Sequence, residues 1–290
     1  MRQRSSLAAT PAAVAFALVA ASGLGPSAAS AQPVAAAAVP AAGPSYADLA
    51  DLADSAPLVV RAQLRGLTAL EPERARGVRA GWARYYVVAR TRALIAGGSA
   101  QGESLRFLAD LPLDARGKPP RLKGKDVLLF AREAPGRPGE LQLVAPDALL
   151  VWDPAVEARL RGVLQELNAA ERPARVTGVR EAIFVPGTLA GEGETQIFLS
   201  THDGTAASIT VSHKPGSEPH WGVSFSEVFD PAARPPARDT LAWYRLACAL
   251  PRQLAPRVNV SATIADQRQA AVDYALVRKD LGDCGRLRGS

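Results

Sequence analysis

Two cysteines occur in 290 residues, too few thiolates for a cysteine-rich zinc module or a cysteine-ligated iron–sulfur cluster. Only three histidines are present, His202, His213 and His220, so imidazole chemistry is confined to one short stretch. After the N-terminus no run of 18 or more strongly apolar residues appears, which removes any candidate for an internal membrane helix. G-x-S-x-G and H-E-x-x-H are both missing, and "LAGEGE" (189–194) lacks the strand–glycine–helix context of a dinucleotide fold and the lysine of a P-loop. Lysine is scarce as well: five of the 34 basic residues, so the cationic surface is arginine.

What is there is ordinary globular material. Hydrophobic residues make up 48% and charged ones 21%, which rules out wholesale disorder and collagen-like repeats. The first residues carry a processing pattern. Arg2 and Arg4 precede a short apolar stretch, Ala12–Gly25, and Ala29-Ser30-Ala31 supplies a small-x-small site. Residues 1–31 therefore read as a cleaved signal peptide, with the mature chain beginning at Gln32. No cysteine follows that site, so a lipoprotein anchor is not available, and no transmembrane anchor is expected after cleavage. Residues 32–45 are uncharged and rich in Ala and Pro, the composition of a flexible leader.

Removing Arg2 and Arg4 with the leader lowers the formal charge from +6 to +4. All of that excess falls between Asp48 and Leu150; from Val151 onward the charges balance. Periodicity divides the folded part in the same place. In residues 46–172 a short amphipathic helix, Tyr46–Ala56, precedes five strand-like runs: Leu58–Leu64, Ala83–Ile95, Ser104–Asp110, Asp126–Ala131 and Glu140–Val144. A helix over Pro154–Ala170 follows, with Asp153 as N-cap and Pro154 in its first position. In residues 173–290 four further runs, Val179–Val185, Thr195–Thr201, Ala207–His213 and Trp221–Phe229, predict an antiparallel meander, with Asp-Gly turn chemistry after Thr201. Two helices, Ala237–Leu250 and Ile264–Gly282, close the chain.

The long second run within a five-strand set resembles an OB-like or netrin-module-like small β-barrel. That resemblance rests on strand number and length and implies an architecture without an activity. The fold class expected is thus α+β: a basic five-stranded small barrel with flanking helices, then a meander packed with two C-terminal helices. The segments "PGTLAGEGETQIFLST", "PHWGVSFSEVFD" and "PPARDTLAWYRLACALP" are similar to uncharacterised exported proteins of GC-rich bacteria, a resemblance that implies export and no particular chemistry.

Alternation on the second run puts Ala83, Tyr85, Val87 and Ala89 on one face and Trp82, Arg84, Tyr86, Arg90 and Arg92 on the other. Arginines interleaved with aromatics suit an anionic ligand through charge, stacking and cation–π contact. The same pattern also fits long Arg stems lying over an ordinary solvated sheet face. More cations, Arg116, Lys118, Arg121, Lys123 and Lys125, follow in a loop. An even pair of cysteines in an exported chain predicts a Cys248–Cys284 disulfide.

The histidines are spaced by eleven and seven residues, which matches no metal motif, although Asp203, Glu218 or Glu227 could complete a ligand set. Ser212 and Ser217 lie near them in sequence without defining a triad. Glu192 and Glu194, flanked by glycine, read as an exposed turn rather than a glycosidase pair. The function expected is a non-catalytic binding protein, periplasmic or secreted, without a cofactor. Its partner would be an anionic envelope component, an acidic glycan or a lipid head group, or another envelope protein; nucleic acid is not expected. The alternative is an envelope hydrolase or metal-dependent enzyme built on His202, His213 and His220.

Overall fold

A computed structural model describes residues 43–98, 101–226 and 233–288. The expected signal peptide, most of the Ala/Pro leader, and residues 227–229 at the end of one expected strand lie outside them. Helix α1 (Tyr46–Ser55) starts in a capping box, Ser45 and Asp48 each bonding the other's backbone N–H, which satisfies two donors a helix start would leave open. Its buried face, Leu49, Leu52 and Ala53, is the amphipathic stripe expected from sequence.

The first sheet contains β1 (Leu58–Ala69), β2 (Trp82–Ala96), β3 (Ser104–Pro112), β4 (Asp126–Glu133), β5 (Leu141–Leu143) and β6 (Leu149–Val151). Every ladder in it is antiparallel, in the order β3-β2-β1-β4-β5, with β6 also on β4. The β1–β2 ladder carries irregularities at Val59/Val60, Arg61/Ala62 and Leu64/Gly66. Such bulges increase local twist, and they let two long strands curl over a core.

The expected barrel does not close as a continuous ladder. Strand β3 meets the residue just before β5 at one isolated parallel bridge, Arg106 with Glu140. Two backbone bonds pin the ends of this seam: Arg106 N–H to Gly139 O at 2.8 Å and Asp110 N–H to Pro146 O at 2.8 Å. The reason is length. β5 spans three residues, all paired with Ala131–Glu133 of β4, too few for a second ladder on its other edge. Gly139 sits at φ 77°, where a Cβ would meet the Ser104 carbonyl at 2.9 Å; the close approach at that end of the seam needs glycine.

Helix α2 (Pro154–Leu167) begins as expected, the Asp153 carboxylate accepting from the N–H groups of Ala155 and Val156. The second sheet, β7 (Val176–Pro186), β8 (Gly193–Thr201), β9 (Ser208–His213) and β10 (His220–Ser224), is the expected meander, in the order β10-β9-β8-β7. Helix α3 (Leu241–Ala247) is shorter than the pattern suggests: Asp239 takes a left-handed φ of 58°, which holds the helix start back to the Thr240 cap. Helix α4 (Ile264–Leu281) runs as expected to Gly282. Among the described residues the architecture is α+β, two antiparallel sheets and four α-helices. No helix of them is long and apolar enough to cross a membrane.

Polar contacts join the sheets through the helices. Arg245 of α3 is 5% exposed and bonds the Asp54 carboxylate at 2.7 and 3.1 Å; Arg175 reaches the same carboxylate at 2.6 Å. Burial alone would push the Asp54 carboxyl up, but the two guanidiniums outweigh it and hold the group below its ordinary value. Tyr46 Oη donates to Glu166, and Tyr244 Oη donates to Asp51. Burial and these carboxylates push both phenols far above their ordinary range. Cys248 and Cys284 are bonded, their Cα atoms 4.8 Å apart, as expected. Beyond the disulfide, Arg286 pairs with Asp51, and the N–H groups of Leu287 and Arg288 both donate to the buried Asp48 carboxylate.

Candidate anion-binding groove

The alternation on β2 is as expected: Tyr85, Val87 and Ala89 are buried, and the even-numbered side chains point outward. Register then sorts the outward residues. Arg84 lies opposite Asp110 and grips it with two bonds, Nε–Oδ1 at 2.7 Å and Nη2–Oδ2 at 2.9 Å. Hydrogen bonding to that carboxylate raises the Arg84 guanidinium above its ordinary value, against the opposing effect of burial. Trp82 is covered by the Arg79 guanidinium, 4.1 Å from the ring centroid. Arg90 pairs with Glu103 at 2.8 Å; Arg92 approaches Asp126 at 3.8 Å, a carboxylate that Arg61 also approaches at 3.9 Å. The five residues singled out in sequence thus form a row along the sheet, three of them in separate ion pairs, rather than one cluster.

Two of the five, Arg84 and Tyr86, line a groove of about 730 Å³ over the seam between β3 and β5. Tyr86 is 40% exposed and lies opposite Leu108, which is 46% exposed; together they present an apolar platform. Arg106 on the β3 side and Arg132 on the β4 side are exposed and line the same groove. Neither has a carboxylate partner among the described residues. Arg137, paired with Glu140 at 3.4 Å, completes a lining of four arginines against two carboxylates. Arg106 and Arg132 are thus the two arginines of this lining without a carboxylate partner, and a guanidinium fork matches the geometry of a carboxylate or phosphate.

Sequence reasoning missed Arg106 and Arg132. Alternation within "SLRFLAD" places Arg106 with Leu108 and Asp110 on one face, but the β3–β5 approach that brings Arg106 and Arg132 into one groove lining is long-range. The basic loop found in sequence forms a separate hollow of about 680 Å³ lined by Arg116, Lys118 and Arg121. Asp114 there accepts from the N–H groups of Arg116 and Lys118 at 2.9 and 2.8 Å, fixing the turn.

The histidines occupy three different environments. His202 lines a cleft with Asp54, Arg175 and Asp203. His220 lies opposite Ser212, so alternation puts its side chain on the sheet face away from His213. His213 faces α4, with Nε2 3.0 Å from both oxygens of Asp273 and its ring edge-on to Phe184. Asp273 is buried and also accepts from Thr195 Oγ1 and Gln269 Nε2. This network anchors α4 on the sheet. The Thr195 hydroxyl is spent on the carboxylate rather than offered to the imidazole, so the geometry of a nucleophile with its base is not assembled there. Among the described residues no group of three or more His, Cys, Asp or Glu side chains is placed to hold a metal ion.

No protein-family model matches the chain, and no curated protein matches it.

Proposed function

We propose that this is an exported, non-catalytic binding protein, periplasmic or secreted, whose anionic ligand seats in the groove between β3 and β5. The observation that carries the reading is the pair Arg106 and Arg132, exposed without carboxylate partners among the described residues, in the lining of one groove that also holds Tyr86 and Leu108. Arginine forks match carboxylate and phosphate geometry. The size falls within the roughly 300–1,000 Å³ of small-ligand sites. The strand order and the parallel bridge from β3 to Glu140, just before β5, support an OB-like, netrin-module-like barrel over 46–172, its seam left open as the binding feature, followed by an α+β segment over 173–290. The leader pattern and the disulfide support export; intact mass of the exported chain should begin at Gln32, and a retained Met1 would contradict it.

The test of binding uses polygalacturonate and phosphatidylglycerol vesicles as anionic probes, each at 50 and 200 mM salt. Affinity should fall with salt, since exposed charges are screened beyond about 8–10 Å at 0.1–0.15 M. Substituting Arg106→Gln with Arg132→Gln should abolish most binding and leave thermal stability within about 0.5 kcal/mol, as surface changes do. Binding untouched by that pair would overturn the assignment of the groove. Failure of both probes to bind would overturn the anionic reading.

A further inference from the structure

Cross-strand register sets three outward pairs side by side on β2 and β3: Val88 with Arg106, Tyr86 with Leu108, and Arg84 with Asp110. The two outer pairs each hold an arginine, and register treats them differently. Arg84 faces a carboxylate and closes on it, at 2.7 and 2.9 Å. Arg106 faces Val88, which cannot answer a charge, and has no carboxylate partner among the described residues. The pair between them is apolar, and both of its members are exposed. Resting on the anionic reading of this groove, we infer that its ligand is a small amphipathic acid. One carboxylate sits on Arg106, and an apolar chain or ring lies over Leu108 and Tyr86.

The spacing suits one molecule of that kind. Residues two apart on a strand share a face at about 7 Å, so the head and body of a medium-chain or arylalkanoic acid have adjoining seats at Arg106 and Leu108. The β5 side of the groove extends the apolar contact through Leu141, Leu143, Val144 and Pro146. Uncharged polar side chains in the lining are two, Tyr86 and Gln142, few for the hydroxyls that each unit of a glycan presents. Hydroxyls that enter a recess and find poor partners lose affinity. An apolar body avoids that loss and gains by covering Tyr86 and Leu108. A bilayer presents head groups and keeps its chains inside, whereas Tyr86 and Leu108 sit on strands and not on a loop that could reach those chains.

An apolar body makes affinity rise with chain length, and a head on Arg106 makes it depend on charge. Titration calorimetry of the full mature chain with butanoate, hexanoate and octanoate should give at least tenfold tighter binding for octanoate than for butanoate. Each fully buried methylene is worth about fourfold, and an open groove covers part of the chain. Hexanamide, uncharged, should bind about tenfold or more weakly than hexanoate, in keeping with charge-assisted bonds. Leu108→Ser should flatten the series to less than about threefold. Arg106→Gln should weaken every acid about tenfold or more and keep the dependence on length. Equal affinity at all lengths would overturn the amphipathic ligand while leaving the anion groove standing, and so would hexanamide binding as tightly as hexanoate. A length dependence untouched in a folded Leu108→Ser chain would overturn the seat. Phosphatidylglycerol vesicles or polygalacturonate binding where none of the three acids does would overturn this inference alone. If the acids and both of those probes all fail, it falls together with the anionic reading. The length series needs no variant, so a substitution that unfolds the protein does not blunt the test.

Discussion

Removing the Asp54 carboxylate is the sharpest test of how the two sheets are held together. In Asp54→Ala the Arg245 guanidinium keeps its place, 5% exposed, with the Pro173 carbonyl at 3.4 Å as its remaining partner. An isolated buried charge of this kind costs about 3–5 kcal/mol relative to the paired state. For a chain of this size each kcal/mol moves the midpoint by about 2–4 °C, so the melting temperature should fall by roughly 6–20 °C. Differential scanning calorimetry reads this directly, with urea midpoints as a second measure. The double variant Asp54→Ala with Arg245→Met should recover much of the loss, because replacing both charges by apolar groups removes the desolvation problem instead of exposing it. Asp147→Ala is the comparison: its partners Arg79 and Arg288 are far less buried, and the loss should stay near 1 kcal/mol or less. A change below about 1 kcal/mol in Asp54→Ala, or a double variant no better than the single, would refute the idea that a buried ion pair joins the sheets.

The same carboxylate sets an acid limit. Asp54 and Glu157 are both held below their ordinary values of 3.8 and 4.5: burial pushes each up, and their arginines, with Trp152 Nε1 at Glu157, outweigh it. A carboxyl lowered on folding contributes stability that is present above its unfolded value and lost as pH falls through the folded one. Melting temperature should therefore drop steeply below about pH 4, and less steeply in Asp54→Asn; an unchanged profile in that variant would remove Asp54 from the explanation. Reducing the disulfide, or replacing both cysteines by serine, should cost about 3–4 kcal/mol on the chain-entropy view of a 36-residue loop. Limited proteolysis should then cut first near residues 283–288, which lose their anchor to the end of α3; cutting elsewhere first would show that Asp48 and Asp51 hold that segment unaided.

Much of this fold could be read locally. The alternation of β2, the Asp153-Pro154 helix start and the Asp-Gly turn are properties of neighbouring residues, and each fell where the pattern put it. Register is different. That Arg84 meets Asp110, 26 positions away, follows from how β2 lies on β3, and nothing in either segment announces it. The same blindness made the row of outward residues on β2 look like one site, whereas pairing divides it among Asp110, Glu103 and Asp126. Barrel closure depends on β5, whose three paired residues could not be told from five in sequence. β6 escaped notice because "LLV" is short. Asp273 was hidden in a helix with many polar residues; only the packing of α4 on Thr195 and His213 marks it as buried.

The seat of the ligand can be observed by following the amide of Leu108 and the side-chain Nε–H groups of Arg106 and Arg132 in an NMR titration with digalacturonate. Saturable shifts should concentrate on those three groups and on Tyr86, with Arg90 and Arg92 unmoved. Shifts centred instead on Arg90 and Arg92, on the basic loop at Arg116–Arg121, or on the cleft at His202 would contradict a binding groove between β3 and β5.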